Sequence, residues 1–508
     1  MKKKSPWKIV AGLLVIGVLV LLMLAAWIAF RAFSAVSEAR IQWEQAEKEL
    51  LTKGETLSVE DFVPPPIPDE QNFFADPLWE DLSDRVEAEK KGGHFMKARL
   101  PLEKRQTYDL NRPLSEDERL KLEKDFPEFA PLDVSKDAVH VARELWKQGE
   151  DAGSESKRRA AEFILAASSM VEPILSRIER LADRSEARFP IHYEDGIYMG
   201  LEHVAPLLGA AQWLQLRGLV AIEQRQPYKA AADVFLILRL ATVFRNEPVL
   251  LSQMVRASMD SLAVEVINQG IREHTWTGSN LRNFESALAE IDLIPALALA
   301  LRFERASFNI SIDSLLRSGN NEVFNESFGS GKASSPATRY PFYWFWVYRQ
   351  FVFPDDKAYY NQAIQTWVEA LDQASQVGVS SRQLPKFSAA AKASVFENKK
   401  RLFSALIFPG LESGIVRVAL IQNQIVLTRI ACALELYRLE EGDYPESLDA
   451  LAPRYFDTLP ADLTTLQAPR YRKRDEGDFE LWSLGWNGSD EGGRSDKNRK
   501  KADWVWGG

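Results

Sequence analysis

Apolar and polar positions along the chain change their periodicity several times, and the first change is the sharpest. An uncharged apolar run of 22 residues from Ile9 to Phe30 follows Lys2, Lys3, Lys4 and Lys8 and is closed by Arg31. A helix rising about 1.5 Å per residue needs roughly 20 residues to cross a hydrocarbon core, so the run predicts a transmembrane helix. Lysines on its leading side orient the N-terminus toward the cytoplasm. A cleaved signal peptide competes for the same residues, with alanines near Ala25 to Ala35. Its apolar stretch, however, usually spans only about 7–15 residues. The expectation is a single-pass anchor meeting lipid through residues 9–30, with residues 1–31 forming the cytoplasmic lysines and the span.

Residues 32–53 read as a juxtamembrane helix, with Ala35, Val36, Ala39, Ile41, Trp43, Ala46 and Leu50 among Glu and Lys at loosely helical spacing. Gly54 ends it. The stretch Phe62 to Phe74, with three consecutive prolines and a fourth at Pro68, cannot be helical and predicts an extended strap. A binding motif for a proline-reading partner is the other reading of these residues. Residues 54–132 are taken together as this strap and an irregular region.

The strongest helical periodicity lies in 133–307, within a body expected over 133–410. Asp133 and Ser135 suit the start of a helix carrying Val139, Val141, Ala142, Leu145 and Trp146. Further runs cover 160–181, 207–224, 230–245, 249–273 and 281–308, punctuated by Pro190, Gly218, Pro227, Pro248 and Gly278. Short connections between such runs predict stacked antiparallel helical hairpins. The segment 210–240 has a tetratricopeptide flavour but lacks a constant 34-residue spacing, so no true repeat array is expected. A body of this kind either presents a groove to a protein partner or serves as a helical spacer. A Ser/Gly/Asn-rich loop at 318–338 precedes nine aromatics within 340–353. Aromatic rings bury large areas, so most of these should be core, with a membrane-interface or docking patch as the alternative.

Composition adds limits more than direction. Hydrophobic residues at 46% and charged residues at 27% of 508 suit a globular body, and the formal charge of −9 with scattered basic residues argues against a nucleic-acid partner. Cys432 is the only cysteine, which excludes an intramolecular disulfide and a cysteine-rich metal site. No catalytic motif holds: Gly331-Lys332-Ala333 lacks the upstream glycine and the hydroxyl residue of a phosphate loop. His192, Glu194, Asp195, Glu202 and His203 form the densest polar group, which would ligate a metal only if the fold gathered it. As surface or hydrogen-bonding residues at a helix entry they need no ligand. Glu304-Arg305 reads as a buried ion pair or an ordinary helix surface.

The C-terminal pattern predicts a small α+β module over 411–508. A long helix from Ile415 to Glu441, apolar on more than one side, ends at Gly442. A short helix to about Leu451, a turn at Leu459-Pro460-Ala461-Asp462 and a hairpin of 470–473 with 479–484 follow. A loop rich in glycine and acids, Gly485 to Gly493, suits tight turns or oxygen ligation.

The ordered series 433–437, Gly442-Asp443-Tyr444-Pro445, Leu448, Leu451, Leu459-Pro460, Asp462, 479–485, Asn487-Gly488, Gly492-Gly493 and Asp503-Trp504 resembles the globular end of the major pseudopilin of type II secretion. The resemblance covers roughly 90 residues and implies a long helix packed on a small antiparallel sheet, with calcium in the last loop. Carried over, the implied ligands are the Leu484 carbonyl, Asn487, Asp490, Asp496 and Asp503. That donor set is chemically sensible, because calcium takes six to eight oxygens from carboxylates and carbonyls. Two departures matter. Asn487 stands where an Asp is usual, and Lys497, Arg499, Lys500 and Lys501 bring positive charge to the loop. The apolar N-terminal helix also lacks the early glutamate of a processed pilin and stands some 380 residues away. The whole chain, through 64–72 and 437–445, resembles a group of bacterial single-pass membrane proteins that join such an ending to a helical body.

The resulting expectation is a mainly α protein of the bacterial inner membrane with an N-terminal transmembrane helix, a stacked helical-hairpin body outside the cytoplasm and a small C-terminal module. Its expected role is a non-enzymatic scaffold with protein partners in the cell envelope, associated with secretion or pilus-like machinery. The competing expectation is a membrane-anchored hydrolase or metal-dependent enzyme with a site near His192 and His203.

Overall fold

The computed structural model describes residues 37–79, 115–127, 138–318, 353–377, 401–463, 466–474, 477–485, 487–494 and 502–507, with the isolated positions 23, 24, 27 and 34. These residues are mainly helical, with one small three-stranded antiparallel sheet. Most of the expected anchor, the loop 318–338 apart from Ser318, which ends a helix, and all of the aromatic cluster except Phe353 lie outside them. Within the anchor, Met23, Leu24 and Trp27 are helical and exposed.

The chain divides into two compact units, one of Met1–Ser58, Phe308–Thr366 and Lys386–Glu412, the other of Val59–Ser307, Trp367–Pro385 and Ser413–Gly508. The helices are α1 (37–52), α2 (Glu116–Asp125), α3 (Ala138–Ala152), α4 (Ser154–Ser169), α5 (Glu172–Leu181), α6 (Val204–Glu223), α7 (Pro227–Thr242), α8 (Leu250–Arg272), α9 (Gly278–Ala289), α10 (Ile294–Ser318), α11 (Phe353–Val377) and α12 (Leu402–Glu441).

The first unit is held by rings and paired polar groups. Phe308 stacks on Tyr360 with centroids 4.0 Å apart, and Tyr360 lies nearly parallel to Phe408 at 5.4 Å. Beside them Asn309 and Asn361 exchange amide hydrogen bonds of 2.9 and 2.8 Å, which satisfies both buried side chains. Lys357 pairs with Asp313 at 2.8 Å and sits 4.1 Å from the Trp43 ring centroid of α1.

In the second unit α3 packs on α4, and α6, α7 and α8 pack on one another. Helices that follow one another in the chain thus pack on one another. Gly218 allows the close approach of α6 and α8, since a Cβ there would lie 3.1 Å from Val266 Cγ1. Two expected single runs are broken. The run 160–181 splits into α4 and α5 because Pro173, in the first turn of α5, has no N–H to continue α4. The run 281–308 splits into α9 and α10, where Asp292 Oδ1 accepts the Ile294 N–H at 3.0 Å just ahead of Pro295.

The module is expected over 411–508, and of it Ser413–Gly508 belong to the same compact unit as the helical stack. The reason is visible in α12. Val418, Ala419, Leu420, Ile421, Ile425, Leu427, Ile430, Ala431 and Leu434 are all buried, which leaves no continuous solvent face in this part of the helix. Ile407–Glu441 is the one stretch among the described residues long and apolar enough to cross a membrane, and 72% of its most apolar window is buried inside the protein. That burial makes it a core helix here. Thr428 and Trp506 both donate to Asn268 Oδ1 of α8, at 2.9 and 2.7 Å, and Arg429 pairs with Glu285 of α9 at 2.8 Å.

The hairpin forms as β1 (Arg470–Arg474) and β2 (Asp478–Ser483), with Tyr471 opposite Leu481 and Gly477 at φ 71° in the turn. A third strand, β3 (Trp504–Val505), pairs with β2. Edge strand β1 reads Arg-Tyr-Arg-Lys-Arg, a charge pattern that discourages further strand pairing.

Candidate functional site

Of the five expected calcium ligands, four are described and Asp496 lies outside the described residues. The loop after β2 is shaped by glycines at positive φ, namely Gly488 (68°), Gly492 (75°) and Gly493 (81°). Gly485 packs directly against the Ala502 carbonyl, where a Cβ has no room. Asn487 Oδ1 accepts the Ser489 N–H at 3.1 Å, and its amide donates to Glu491 at 2.8 Å. Asp490 Oδ1 accepts from Gly492 N at 2.9 Å and from the Trp482 indole at 3.2 Å. These bonds hold the Asp490 carboxyl below its usual range. Leu484 accepts from the Ser483 hydroxyl at 3.3 Å through its carbonyl.

Asp503 is the pivot of the loop. Its side chain is buried, and Oδ2 accepts from Glu491 N at 3.0 Å and Gly493 N at 2.8 Å. Burial and the neighbouring Glu491 carboxylate push its own carboxyl up. Asp503 Oδ1 and Glu491 Oε2 are both buried without a hydrogen-bond donor. Two such oxygens fit a hard cation, and they fit a shared proton equally well. Asn487 and Asp490 already spend oxygens on the turn. Glu491 was not singled out by the residue pattern, because it becomes relevant only when Asp503 folds back beside it.

The histidine group is arranged differently from the metal or hydrolytic reading. His192 Nδ1 lies 3.4 Å from Glu194, whereas His203 is entirely buried. The His203 ring stacks on Phe189 at 4.2 Å, with Phe74 and Phe244 at 5.3 and 5.6 Å. Its Nε2 is 3.0 Å from Glu247 Oε2, and Ser252 donates its hydroxyl to the other oxygen of the same carboxylate. Serine and histidine therefore both bond to the glutamate, not serine to histidine, and no activated nucleophile results. No group of three or more His, Cys, Asp or Glu side chains able to hold a metal ion occurs among the described residues.

Deeper in the same unit, Asp260 and Glu304 have carboxyls pushed up to about 7, in both cases chiefly by burial. Arg256 and Arg245 oppose the shift at Asp260, and the Leu250 N–H, 3.2 Å from Glu304, opposes it there.

Comparison with known proteins gives no match, whether to a protein family, to a curated sequence or to a solved structure. The resemblance of the C-terminal residues to the pseudopilin ending therefore stands on those residues alone.

Proposed function

We propose that this chain is a non-enzymatic interaction protein of the bacterial envelope, held in the inner membrane by residues 9–30 with the N-terminus in the cytoplasm. Its helical stack and pseudopilin-like ending would engage protein partners of a secretion or pilus-like assembly. The observation that carries this reading over a hydrolase is the sealing of His203 within Phe74, Phe189 and Phe244, with Glu247 as its polar partner. A catalytic histidine must reach substrate, and this one has no exposed surface. Support for the anchor comes from the lysine-flanked apolar run and from the exposure of Met23, Leu24 and Trp27, apolar side chains on a helix.

Alkaline phosphatase fused after residue 508 tests the topology. An active fusion supports an exported C-terminus, and an inactive one with an intact chain overturns it. Replacing His203 with Gln, with Glu247 kept, tests the role. Loss of stability without loss of any envelope phenotype that survives refolding supports a structural histidine. Abolition of a hydrolytic activity in a fully folded variant would revive the enzyme.

The resemblance also implies calcium at the last loop. We propose Asp503 and Glu491 as the carboxylates that would hold it, because theirs are the buried oxygens left without donors.

A further inference from the structure

A cavity of about 350 Å³ opens between the turn after α5 and the end of α7, lined in part by Arg184, Ser185, Glu186, Arg239, Arg245 and Asn246. That volume falls within the range of small-molecule sites, roughly 300–1,000 Å³. Three arginines meet one acid in its lining, and Asp183 pairs with Arg239 at 2.6 Å from outside it. In a chain of formal charge −9 this is a local reversal of sign.

The arginines differ in what holds them. Arg184 Nη1 donates to the carbonyls of Asn72 at 2.6 Å and Asp69 at 3.2 Å, which fixes the guanidinium while leaving other N–H groups uncommitted. Arg239 Nη2 donates to the Ala182 carbonyl and to the Asp183 carboxylate. Among the described residues the side chains of Arg245, Ser185 and Asn246 make no hydrogen bond or ion pair, so three donor-bearing groups line the cavity unspent. Planar guanidinium forks match the paired oxygens of carboxylate and phosphate, which a set of point charges would not. Ala182, Ala187 and Val243, each partly exposed, contribute apolar atoms on which the organic part of a ligand can rest.

We propose that this cavity binds a small-molecule oxyanion, a phosphate or carboxylate group carried on a compact organic body. Arg245 is its uncommitted anchor, and Arg184 and Arg239 are its prefixed ones.

Calorimetry on the full-length chain in a low-salt buffer, titrated separately with inorganic phosphate and with succinate, tests the site. Saturable one-to-one binding of either anion is expected, weakened at least tenfold by Arg245→Gln and weakened also by added sodium chloride. Binding of phosphate alone assigns a phosphorylated ligand, and binding of succinate alone a carboxylate. Arg245 has no hydrogen bond or ion pair to lose, but its charge opposes the raised carboxyl of Asp260. The thermal melt that checks folding of this variant is therefore run at pH 5, where that carboxyl keeps its proton, and should there match the parent; Arg239→Gln provides a second, independent loss. The proposal is overturned if neither anion binds the unaltered chain, or if binding is equally strong in both variants.

Discussion

Tyr444 donates its hydroxyl proton to Glu435 Oε2 at 2.7 Å, and the carboxylate that accepts it is fully buried. The same carboxylate accepts from Arg438 at 2.8 and 2.7 Å and lies 3.1 Å from His274 Nδ1. One side chain thus ties the end of α12 to the segment after Gly442 and to the turn after α8. Because the interaction is with a buried ionised group, Tyr444→Phe is expected to cost about 1.5–3 kcal/mol in urea unfolding. A loss under about 0.5 kcal/mol would mean that Arg438 alone satisfies the carboxylate.

Gly270 is expected to tolerate no side chain. A Cβ there would overlap the indole of Trp276, which is buried and pinned by its own N–H to the Ile267 carbonyl at 2.8 Å. Gly270→Ala must displace either the ring or α8, at about 1–3 kcal/mol. In a Trp276→Leu background Gly270→Ala should cost less than it does in the parent, because the ring it clashes with is gone. Strict additivity in denaturant unfolding would place the clash elsewhere.

Legibility of the fold followed the range of each signal. Helix α8 lies within one residue at each end of the expected 249–273, since Pro248 stops propagation before it and His274, at φ 48°, turns the chain after it. The breaks at Pro173 and Pro295 were missed because apolar periodicity runs across them without a phase shift. Strand β3 has two residues, too few to alternate. The glutamate that His203 uses is 44 residues away in the chain, and the arginine-lined cavity gathers residues from separate turns. Neither leaves a local pattern. The loop acids were visible as a group, but the pairing of Asp503 with the Glu491 and Gly493 amides depends on β3 returning beside β2.

Stability should depend on pH through Asp260. Its carboxyl sits near 7 in the folded chain against 3.8 as the ordinary value. Between about 4 and 7 the native state therefore keeps a proton that the unfolded state has released. Stability falls as pH rises through that window and stays at its lower level above it. Glu304, also raised to about 7, contributes with the same sign. Asp260→Asn removes one such contribution, so its melting temperature should gain on the parent more at pH 8 than at pH 5. An equal difference at both pH values would show that Asp260 is ionised throughout.

Calcium should act through Asp503 or not at all. A cation bound by the folded loop alone raises stability by RT ln(1 + [Ca]/Kd), about 2.7 kcal/mol at a hundredfold excess over Kd. The full-length chain should then melt higher in calcium than in chelator. Asp503→Asn should remove that difference, because it neutralises one of the two carboxylates left with a donorless oxygen. Asp490→Ala should reduce it less, since the Asp490 oxygens already serve Gly492 and Trp482. If calcium leaves the melt of the unaltered chain unmoved, the loop is held by its turn hydrogen bonds. Asp503→Asn should in that case raise the melting temperature near pH 7, by relieving the repulsion between Asp503 and Glu491 that burial intensifies.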